Sequence, residues 1–371
     1  MIKVVMLRSN PVDADPRVEK EAEALKKAGY EVEVVGWDRE GNLKVIESTN
    51  FGLVKRIRIK AQFGNGLYNL PHLIRWQVAL LHYLMKSKFD VIHSCDFDTV
   101  LPAIIVGRIR RKKVIYDIFD FYADMLRKTP EFIKKLIRIL DYYIINKVDA
   151  VIIADVSRSK QIYGTHPKRI EVIYNTPKDV KDQYHNDVKN PTFRIGYVGL
   201  LQVERGLLEM INVVGKHPDW ILEIGGYGGD ENKIKQEISH FPNIVFHGKV
   251  KYSKSLEISS RATVLFATYD PKVPNHKYSS PNKLFEAMML GKPIIISEGS
   301  TMCDIVRRYN NGIIVEYGNQ QKLEEALLKL SNDPGLVEKM GKQSRKAYEG
   351  EFGWAVMEKR LIDLYSKVIE G

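Results

Sequence analysis

Cysteine is the scarcest chemically useful residue in this chain, with two copies, Cys95 and Cys303, among 371 residues. Two thiols that lie so far apart in sequence do not make the spaced pairs of a disulfide framework or of a cysteine-based metal cluster. The sequence therefore favours a reducing compartment, and we expect a cytoplasmic protein.

Long uncharged apolar runs are also missing from the sequence. No stretch approaches the roughly 20 apolar residues that a membrane span requires. The opening run, Lys3–Leu7, is strand-like and too short for the apolar core of a signal peptide. Neither low-complexity tracts nor repeats at solenoid periods occur, which excludes a repeat architecture. We therefore expect a globular protein that does not cross a membrane.

What is present is a regular alternation of strand-like and helix-like segments. The first helix signal has Asp15 as its cap, Pro16 at its first position and Gly29 at its end. Strand-like runs recur at 3–7, 31–35, 91–93, 114–116, 150–153, 170–173, 193–198, 220–224, 244–246, 262–266, 293–296 and 312–315. Strands separated by helices are typical of parallel βαβ units. The predicted fold class is α/β, with two Rossmann-like doubly wound domains.

The domain division follows from length and from one polar segment. A chain of 371 residues is too long for one ordinary core. The polar segment 177–191 is bracketed by prolines and is typical of a linker. We predict a first domain at 1–176, a second at 192–352 and a C-terminal helix at 353–371. The apolar face of that helix, with Met357, Leu361, Leu364, Tyr365 and Val368, requires a partner surface.

Positive charge is concentrated in the first half of the chain. The net charge is +11, and residues up to Asn175 contribute 30 Lys and Arg against 21 Asp and Glu. A solvated surface explains this excess, as does attraction to an anionic membrane or to phosphorylated substrates. Nucleic acid is disfavoured because no binding motif accompanies the charge. The segment Phe132–Leu140 mixes apolar and basic residues and suits a helix on anionic lipid, although ordinary packing is the simpler interpretation.

The segment Ser279–Pro293 has the features of a phosphate-binding helix start. A serine at 279 or 280 can cap a helix whose first turn contains Pro281, so that free N–H groups and the positive dipole end point outward. Lys283 and Glu286 share a helical face close to that end. A lysine there can pair with diphosphate, and the carboxylate can accept hydrogen bonds from ribose hydroxyls. A well-capped helix with an ion pair between residues three apart is the alternative interpretation.

Two glycine-rich turns follow strands in the second half. One is Gly199–Gly206, which includes Arg205, and the other is Gly225–Gly229. Turns at the carboxyl ends of parallel strands are where open α/β sheets bind ligands. Arg205 could stabilise a departing diphosphate, and the second turn could approach a base or ribose closely.

The order and spacing of these segments resemble family 4 glycosyltransferases of the GT-B fold over nearly the whole chain. The resemblance rests on five stretches, namely 15–32, 90–93, 116–120, 173–175 and 196–206, together with 280–293. It implies transfer of a sugar from a UDP- or GDP-sugar with retained anomeric configuration. It also implies a cleft between the domains, no required metal, and a last helix that crosses back to the first domain.

The resemblance also implies a set of site residues. Donor contacts would come from Gly199, Arg205, Gly226, Tyr227, Ser280, Asn282, Lys283, Leu284 and Glu286. Catalytic candidates are Asp120, His93 and Arg205, although His93 could equally be a buried, hydrogen-bonded histidine. The acceptor would be a glycan or a lipid-linked molecule, because many family members act on lipid-linked acceptors.

The chain departs from the family pattern at three positions. Tyr278 stands where a second glutamate is common, Leu200 where a basic residue is common, and Phe119 where an acceptor-side histidine is common. A nucleotide-sugar epimerase or hydrolase on the same plan, or a binding protein with reduced catalysis, is therefore an alternative function. The Asp13–Asp15 and Asp96–Asp98 pairs are interpreted as loop and capping residues, and His166 and His276 as surface residues.

Overall fold

The computed structural model of the chain describes residues 1–13, 15–62, 69–126, 129–184, 192–273, 276 and 282–371. The chain divides into two compact units. Unit 1 comprises Met1–Tyr174 and Met357–Gly371, and unit 2 comprises Asn175–Val356.

Unit 1 contains an eight-stranded sheet. Its strands are β1 (Lys3–Arg8), β2 (Glu31–Asp38), β3 (Ile46–Ser48), β4 (Leu53–Arg58), β5 (Val91–Cys95), β6 (Lys113–Ile118), β7 (Ala150–Ile153) and β8 (Ile170–Val172). Their order is β3-β4-β2-β1-β5-β6-β7-β8, and only the β3–β4 pair is antiparallel. The central strands are buried, as expected of a parallel sheet that is covered on both faces.

Unit 2 contains a six-stranded parallel sheet. Its strands are β9 (Arg194–Leu200), β10 (Ile221–Tyr227), β11 (Ile244–Gly248), β12 (Val264–Ala267), β13 (Ile294–Ser297) and β14 (Gly312–Val315). Their order is β11-β10-β9-β12-β13-β14, which reverses direction between β9 and β12. Such a reversal opens a crevice at the carboxyl ends of the strands, where α/β sheets bind ligands.

Helices connect the strands of both sheets. In unit 1 they are α1 (Pro16–Lys27), α2 (Leu70–Lys86), α3 (Phe97–Ile109), α4 (Tyr122–Met125) and α5 (Glu131–Ile145). In unit 2 they are α6 (Leu207–Val214), α7 (Glu231–Ile238), α8 (Tyr252–Arg261), α9 (Asn282–Leu290), α10 (Met302–Tyr309), α11 (Gln320–Asn332) and α12 (Pro334–Ala347). The last helix is α13 (Trp354–Glu370). Two Rossmann-like sheets are therefore confirmed.

The predicted start of the first helix is also confirmed. Asp15 occupies the N-cap of α1, where its carboxylate accepts a hydrogen bond from the Val18 N–H group, and Pro16 is the first helical residue. Satisfying an otherwise free N–H group in this way stabilises a helix by about 1 kcal/mol.

Helix α13 packs on unit 1, as predicted. The Tyr365 hydroxyl lies 2.7 Å from His93 Nδ1, and Arg360 donates to the Val172 carbonyl at 3.2 Å. Met357, Leu361 and the other predicted face residues are buried. Burial of this apolar stripe supplies the partner surface that the sequence pattern requires.

Strands β3 and β4 were not among the predicted strands. The run at Lys55–Lys60 looks like a charged surface, yet Arg56 is buried in β4. Its guanidinium group donates to the Pro11, Val12 and Lys44 carbonyls and pairs with Glu47 at 2.6 Å. Among the described residues, no helix combines the length and the apolar character that a bilayer-spanning segment needs.

Candidate functional site

Five side chains and one glycine gather at the carboxyl ends of β9 and β12, where the sheet order of unit 2 reverses. The two basic residues of this group are Lys283, at the start of α9, and Arg205, in the turn that follows β9. We call Tyr197, Gly199, Arg205, Tyr269, Lys283 and Glu286 the cationic cluster. Because the turn and α9 both follow the carboxyl ends of strands, the fold places these distant residues together.

Gly199 makes room for the Lys283 ammonium group. A Cβ atom at Gly199 would lie 2.4 Å from Lys283 Nζ, so any larger residue would displace the lysine. The ammonium group lies 4.3 Å from the centre of the Tyr197 ring, within cation–π distance. Burial opposes the charge, but Tyr269, Tyr197 and Glu286 raise the pKa of Lys283, which is therefore positively charged at neutral pH.

Arg205 is held beside the same two tyrosines. Its guanidinium carbon lies 4.7 Å from the Tyr269 ring centre, and its Nε donates to the Gln202 side chain at 3.0 Å. Within the described part of the chain, no carboxylate lies within 4.0 Å of either the Arg205 or the Lys283 cationic group. Two neighbouring cations without a carboxylate partner form a strong site for a dianion such as diphosphate.

Glu286 lies one turn along α9 from Lys283. Its side chain is 5% exposed. Burial of the hydroxyl, together with the charge of Glu286 and a hydrogen bond to its carboxylate, raises the pKa of Tyr252. A largely buried carboxylate beside two cations can accept hydrogen bonds from a polyhydroxylated ligand that enters the cluster.

The second glycine turn packs against the first. Gly226 has a φ of +142°, and a Cβ atom there would lie 1.8 Å from the Gly199 carbonyl oxygen. Gly228 has a φ of +150°, and a Cβ atom there would lie 2.9 Å from the Leu201 backbone nitrogen. Tyr227, at the end of β10, is half exposed, and Lys249 Nζ lies 5.0 Å from its ring centre. Glycine at 226 is therefore a steric requirement of this edge.

Substituting alanine for Gly226 is expected to destabilise unit 2 by roughly 2–4 kcal/mol, because the new methyl group meets a backbone carbonyl at a disfavoured φ. Urea unfolding would measure the change. Gly229→Ala is the matched control, since a Cβ atom at Gly229 meets nothing within 4 Å. Equal stability of the two variants would contradict the assigned packing.

Two of the predicted donor contacts, Leu284 and Asn282, differ in their exposure. Leu284 is fully buried, so its side chain packs in the core and can only position the helix backbone. Asn282 is exposed at the first position of α9. Ser280, Pro281 and Tyr278 lie outside the described residues.

In unit 1, Asp120 lies just beyond the carboxyl end of β6. Its Oδ1 accepts a hydrogen bond from the buried Arg158 at 2.7 Å, and its side chain is 36% exposed. It can therefore meet a ligand from solvent. The neighbouring Phe119 ring lies between two guanidinium groups, at 4.2 Å from Arg8 and 4.6 Å from Arg17. The residue at the family's usual histidine position thus orders two cations in this chain.

Asp96 lies at the carboxyl end of β5, with a φ of +68°. It occupies the N-cap position of α3, in keeping with its interpretation as a loop and capping residue, but its side chain makes no capping hydrogen bond. Its carboxylate instead pairs with Arg8 and accepts a hydrogen bond from the Phe119 N–H group at 2.9 Å. Burial is the main cause that raises the pKa of Asp96, to about 7.

His93 is completely buried, so the structure favours the buried, hydrogen-bonded alternative over contact with an acceptor. Its Nε2 lies 3.6 Å from Glu21 Oε2 and 3.5 Å from Asp117 Oδ2. This spacing would also suit a metal ion. Arg17, however, already pairs with both carboxylates, at 3.1 Å from Glu21 and 2.8 Å from Asp117, and burial, together with the charge of Asp117, raises the pKa of Glu21. We interpret the group as a buried ion network.

The expectation that His276 lies on the surface is wrong, since its side chain is nearly buried. Its Nδ1 lies 3.3 Å from the Asp270 carbonyl oxygen, and its ring lies 5.3 Å from the Tyr269 ring. His276 thus supports one wall of the cationic cluster. Tyr197 and Tyr269 were not predicted at all, because an aromatic residue at the end of an apolar strand looks like core. His166 is exposed, as predicted.

Comparison with known proteins matches each half of the chain to a glycosyltransferase model. Residues 17–176 match "Glycosyltransferase Family 4" and residues 180–347 match "Glycosyl transferases group 1". The spore coat protein SA of Bacillus subtilis is 20% identical, over 79% of this chain and 82% of that protein.

Solved structures of other proteins superpose on this chain over nearly its full length. Sucrose-phosphate synthase from Thermosynechococcus elongatus superposes with a TM-score of 0.79 at 15% identity, covering all of both chains. Anabaena HepE, in complex with UDP and glucose, superposes with a TM-score of 0.74 at 14% identity, covering 99% of this chain and all of that one. At these identities, the likeness shows the fold alone. Because the two family models together leave out only short stretches, the chain belongs to the family 4 glycosyltransferases and has the GT-B fold.

Proposed function

We propose that this glycosyltransferase moves a sugar from a UDP- or GDP-sugar to a hydroxyl group of a glycan or lipid-linked acceptor, with retention of anomeric configuration. The observation that carries the proposal is the pair of cations, Lys283 and Arg205, that lies at the carboxyl edge of unit 2 beside the buried Glu286. A diphosphate and a ribose are the two groups that this arrangement fits.

Each donor contact has a chemical role in the proposal. Lys283 and Arg205 bind the diphosphate, together with the N–H group of Asn282 at the start of α9. Glu286 accepts hydrogen bonds from the ribose hydroxyls. The Gly199 and Gly226 backbones allow close approach, and Tyr227 lies beside the base.

Catalysis would come mainly from electrostatic stabilisation of the leaving diphosphate. Positive charge that is already in place where negative charge develops lowers the barrier without reorganisation. Lys283 and Arg205 supply that charge, so the proposal requires no metal. With retention, the leaving phosphate itself can accept the proton of the acceptor hydroxyl, and no protein base is needed.

On the acceptor side, Asp120 is the proposed contact because its carboxylate is accessible and oriented by Arg158. His93 has no exposed surface and is assigned a positioning role through Tyr365 and Asp117. The GT-B neighbour HepE was solved with UDP and glucose, which makes UDP-glucose the first donor to test.

Turnover measurements would test the proposed reaction. The purified protein is incubated with UDP- and GDP-sugars, with and without a lipid extract, and release of nucleoside diphosphate is followed. We expect release that depends on the acceptor, and a product whose anomeric configuration by NMR equals that of the donor. Release at the same rate without acceptor would identify a hydrolase or epimerase, and binding without release would identify a non-catalytic protein.

An exposed apolar surface on unit 1 supports a membrane-bound acceptor. Helix α5 leaves an apolar stripe open to solvent, with Phe132 73% and Leu136 67% exposed. Helix α3 packs between α2 and α5 and exposes Ile105 and Ile109, while α2 exposes Ile74 and Val78. Exposed apolar side chains on three adjacent helices are typical of a membrane-binding or protein-binding surface.

The charges around this patch are mainly positive. On α5, Lys135 is exposed, and Arg108 and Lys147 flank the half-exposed Tyr143, whose pKa is lowered, chiefly by a hydrogen bond from Arg108. Apolar side chains bordered by cations match an anionic lipid surface. We therefore propose peripheral binding of unit 1 to such a membrane, from the cytoplasmic side.

Placing glutamate at both Leu136 and Ile139 is expected to weaken binding to vesicles that contain phosphatidylglycerol by at least about tenfold, because two apolar contacts and the local positive potential are lost. Co-sedimentation would measure the partition. Leu328→Glu, at an exposed leucine of α11 in unit 2, is the matched control. Equal sedimentation of all three proteins would refute membrane binding through this surface.

A further inference from the structure

Unit 2 contains a second strongly positive region, at the opposite edge of its sheet. A cavity of about 500 Å³ lies beside the first residue of β9, Arg194, and the residues that precede β12 and β13, Thr263 and Pro293. We call it the basic cavity. Cavities of about 300–1,000 Å³ are typical of small-molecule sites.

Cations dominate the wall of the basic cavity. Its seven cationic residues are Lys181, Arg194, Arg261, Lys292, Lys342, Arg345 and Lys346, against the two carboxylates Glu338 and Glu349. Several of these cations are already paired. Arg194 and Arg261 both bind Glu223, at 3.3 and 2.9 Å, and Lys342 binds Glu338 at 2.5 Å.

Arg345 is held rigidly at the cavity wall. Its Nε lies 2.6 Å from Glu349, its Nη1 donates to the Met289 carbonyl at 2.8 Å, and the guanidinium group also pairs with Asp179. A guanidinium group fixed by several partners loses little further entropy when it binds an anion.

Lys181 and Lys292 are two of the cavity cations without such partners among the described residues, and Lys346 is a third. Among the described residues, no carboxylate lies within 4.0 Å of either ammonium group. Lys181 Nζ lies 3.9 Å from the position of a Cβ atom on Gly291, next to Lys292 in sequence. Burial and, second, the charge of Lys181 lower the pKa of Lys292 to about 8. An anion bound beside both ammonium groups would therefore stabilise the charged form of Lys292.

The basic cavity is separate from the cationic cluster. Arg194 and Gly199 lie at opposite ends of β9, five residues apart, which corresponds to roughly 16 Å at the rise of a parallel strand. Neither set of lining residues includes a member of the other. One ligand therefore does not account for both sites unless it is much longer than a nucleotide sugar.

We propose that the basic cavity binds a phosphorylated small molecule that carries at least two negative charges, with Lys181 and Lys292 as its main contacts and Arg345 as a fixed part of the wall. The cavity's concave shape and volume favour a compact solute over a flat lipid surface. This inference does not depend on the proposed sugar transfer, because it concerns other residues at another edge of the sheet.

The test uses calorimetric titration of the full-length protein with inorganic pyrophosphate and with glucose 1,6-bisphosphate. We expect two binding events in the wild type. Replacing both Lys181 and Lys292 by methionine should remove one event or weaken it at least tenfold, the effect of about one lost charge-assisted hydrogen bond. Lys339→Met, an exposed lysine of α12 that does not line the cavity, should retain both events.

A variant without the cationic cluster separates this site from the proposed function. When Arg205 and Lys283 are both replaced by methionine, the second event should remain. Lys292→Met should also raise the melting temperature without ligand, because it removes a poorly compensated charge, and should reduce the rise that pyrophosphate causes in the wild type to the part that comes from the cationic cluster. Loss of all pyrophosphate binding in the Arg205/Lys283 variant, or binding events in the Lys181/Lys292 variant that equal those of the wild type in number and strength, would overturn the proposal. Binding to anionic vesicles alone would do so too.

Discussion

Glu286→Ala is expected to weaken binding of the nucleotide-sugar donor by about 100-fold. An ionised carboxylate that accepts two hydrogen bonds from ribose contributes about 1.5–3 kcal/mol for each of them, and the expected loss is near the lower limit of their sum. Calorimetric titration with the donor would measure the change. The donor affinity of the Glu286→Gln variant should lie between that of the wild type and that of Glu286→Ala, because an amide oxygen accepts hydrogen bonds without the negative charge.

A structural role for Glu286 is the competing explanation, because its buried carboxylate also contacts Tyr252. A 2′-deoxy donor distinguishes the two. The deoxy donor should bind the wild type more weakly than the normal donor does, whereas the Glu286→Ala protein should not discriminate between them. If the variant still discriminates by the wild-type factor, the ribose assignment is wrong.

Lys283→Met is expected to lower kcat by about 100- to 1,000-fold, with a smaller change in KM. Charge that develops on the leaving diphosphate interacts more strongly with the ammonium group in the transition state than in the ground state. Arg205→Met should lower kcat in the same way. The release rate of nucleoside diphosphate at saturating donor would measure both effects.

The control for these two variants is Lys339→Met, which removes an exposed cation from unit 2 without touching the cluster. A rise in KM for the donor with kcat unchanged would assign Lys283 to donor affinity and would contradict its catalytic role.

Most of the fold could be predicted from local sequence. Parallel strands are continuous apolar runs, and Asp15, Pro16 and Gly29 mark the ends of α1. Strand β4 could not be predicted in this way because its buried Arg56 breaks the apolar pattern. That burial depends on the carbonyl groups of Pro11, Val12 and Lys44, which only the folded chain brings within hydrogen-bonding distance.

The site was predictable to a lesser degree. Lys283 and Glu286 stand out because they share a helical face close to a helix start, and Arg205 stands out because it lies in a glycine-rich turn after a strand. Tyr197 and Tyr269 do not stand out, because their proximity to the cations depends on the order of β9 and β12 in the sheet. For His93, the sequence left open whether the side chain contacts an acceptor or is buried. Contacts with Tyr365 of α13 and with Glu21 of α1 bury it.

Not every cation of the first half belongs to a solvated surface. Arg8 and Arg17 are not surface charges, because they lie against Phe119 and pair with the carboxylates of Asp96 and Asp117. The carboxylates that pair with these two arginines lie far from them in sequence, so no local pattern predicts the ion pairs.

Titration of UDP and GDP into three proteins tests the central claim most directly. These are the wild type, the Arg205→Met/Lys283→Met variant and the Lys181→Met/Lys292→Met variant. We predict that the wild type and the Lys181/Lys292 variant bind at least one of the two nucleotides equally well at the cationic cluster. The Arg205/Lys283 variant should bind that nucleotide at least about 100-fold more weakly. Undiminished binding by the Arg205/Lys283 variant would show that the nucleotide sugar does not bind at the cationic cluster.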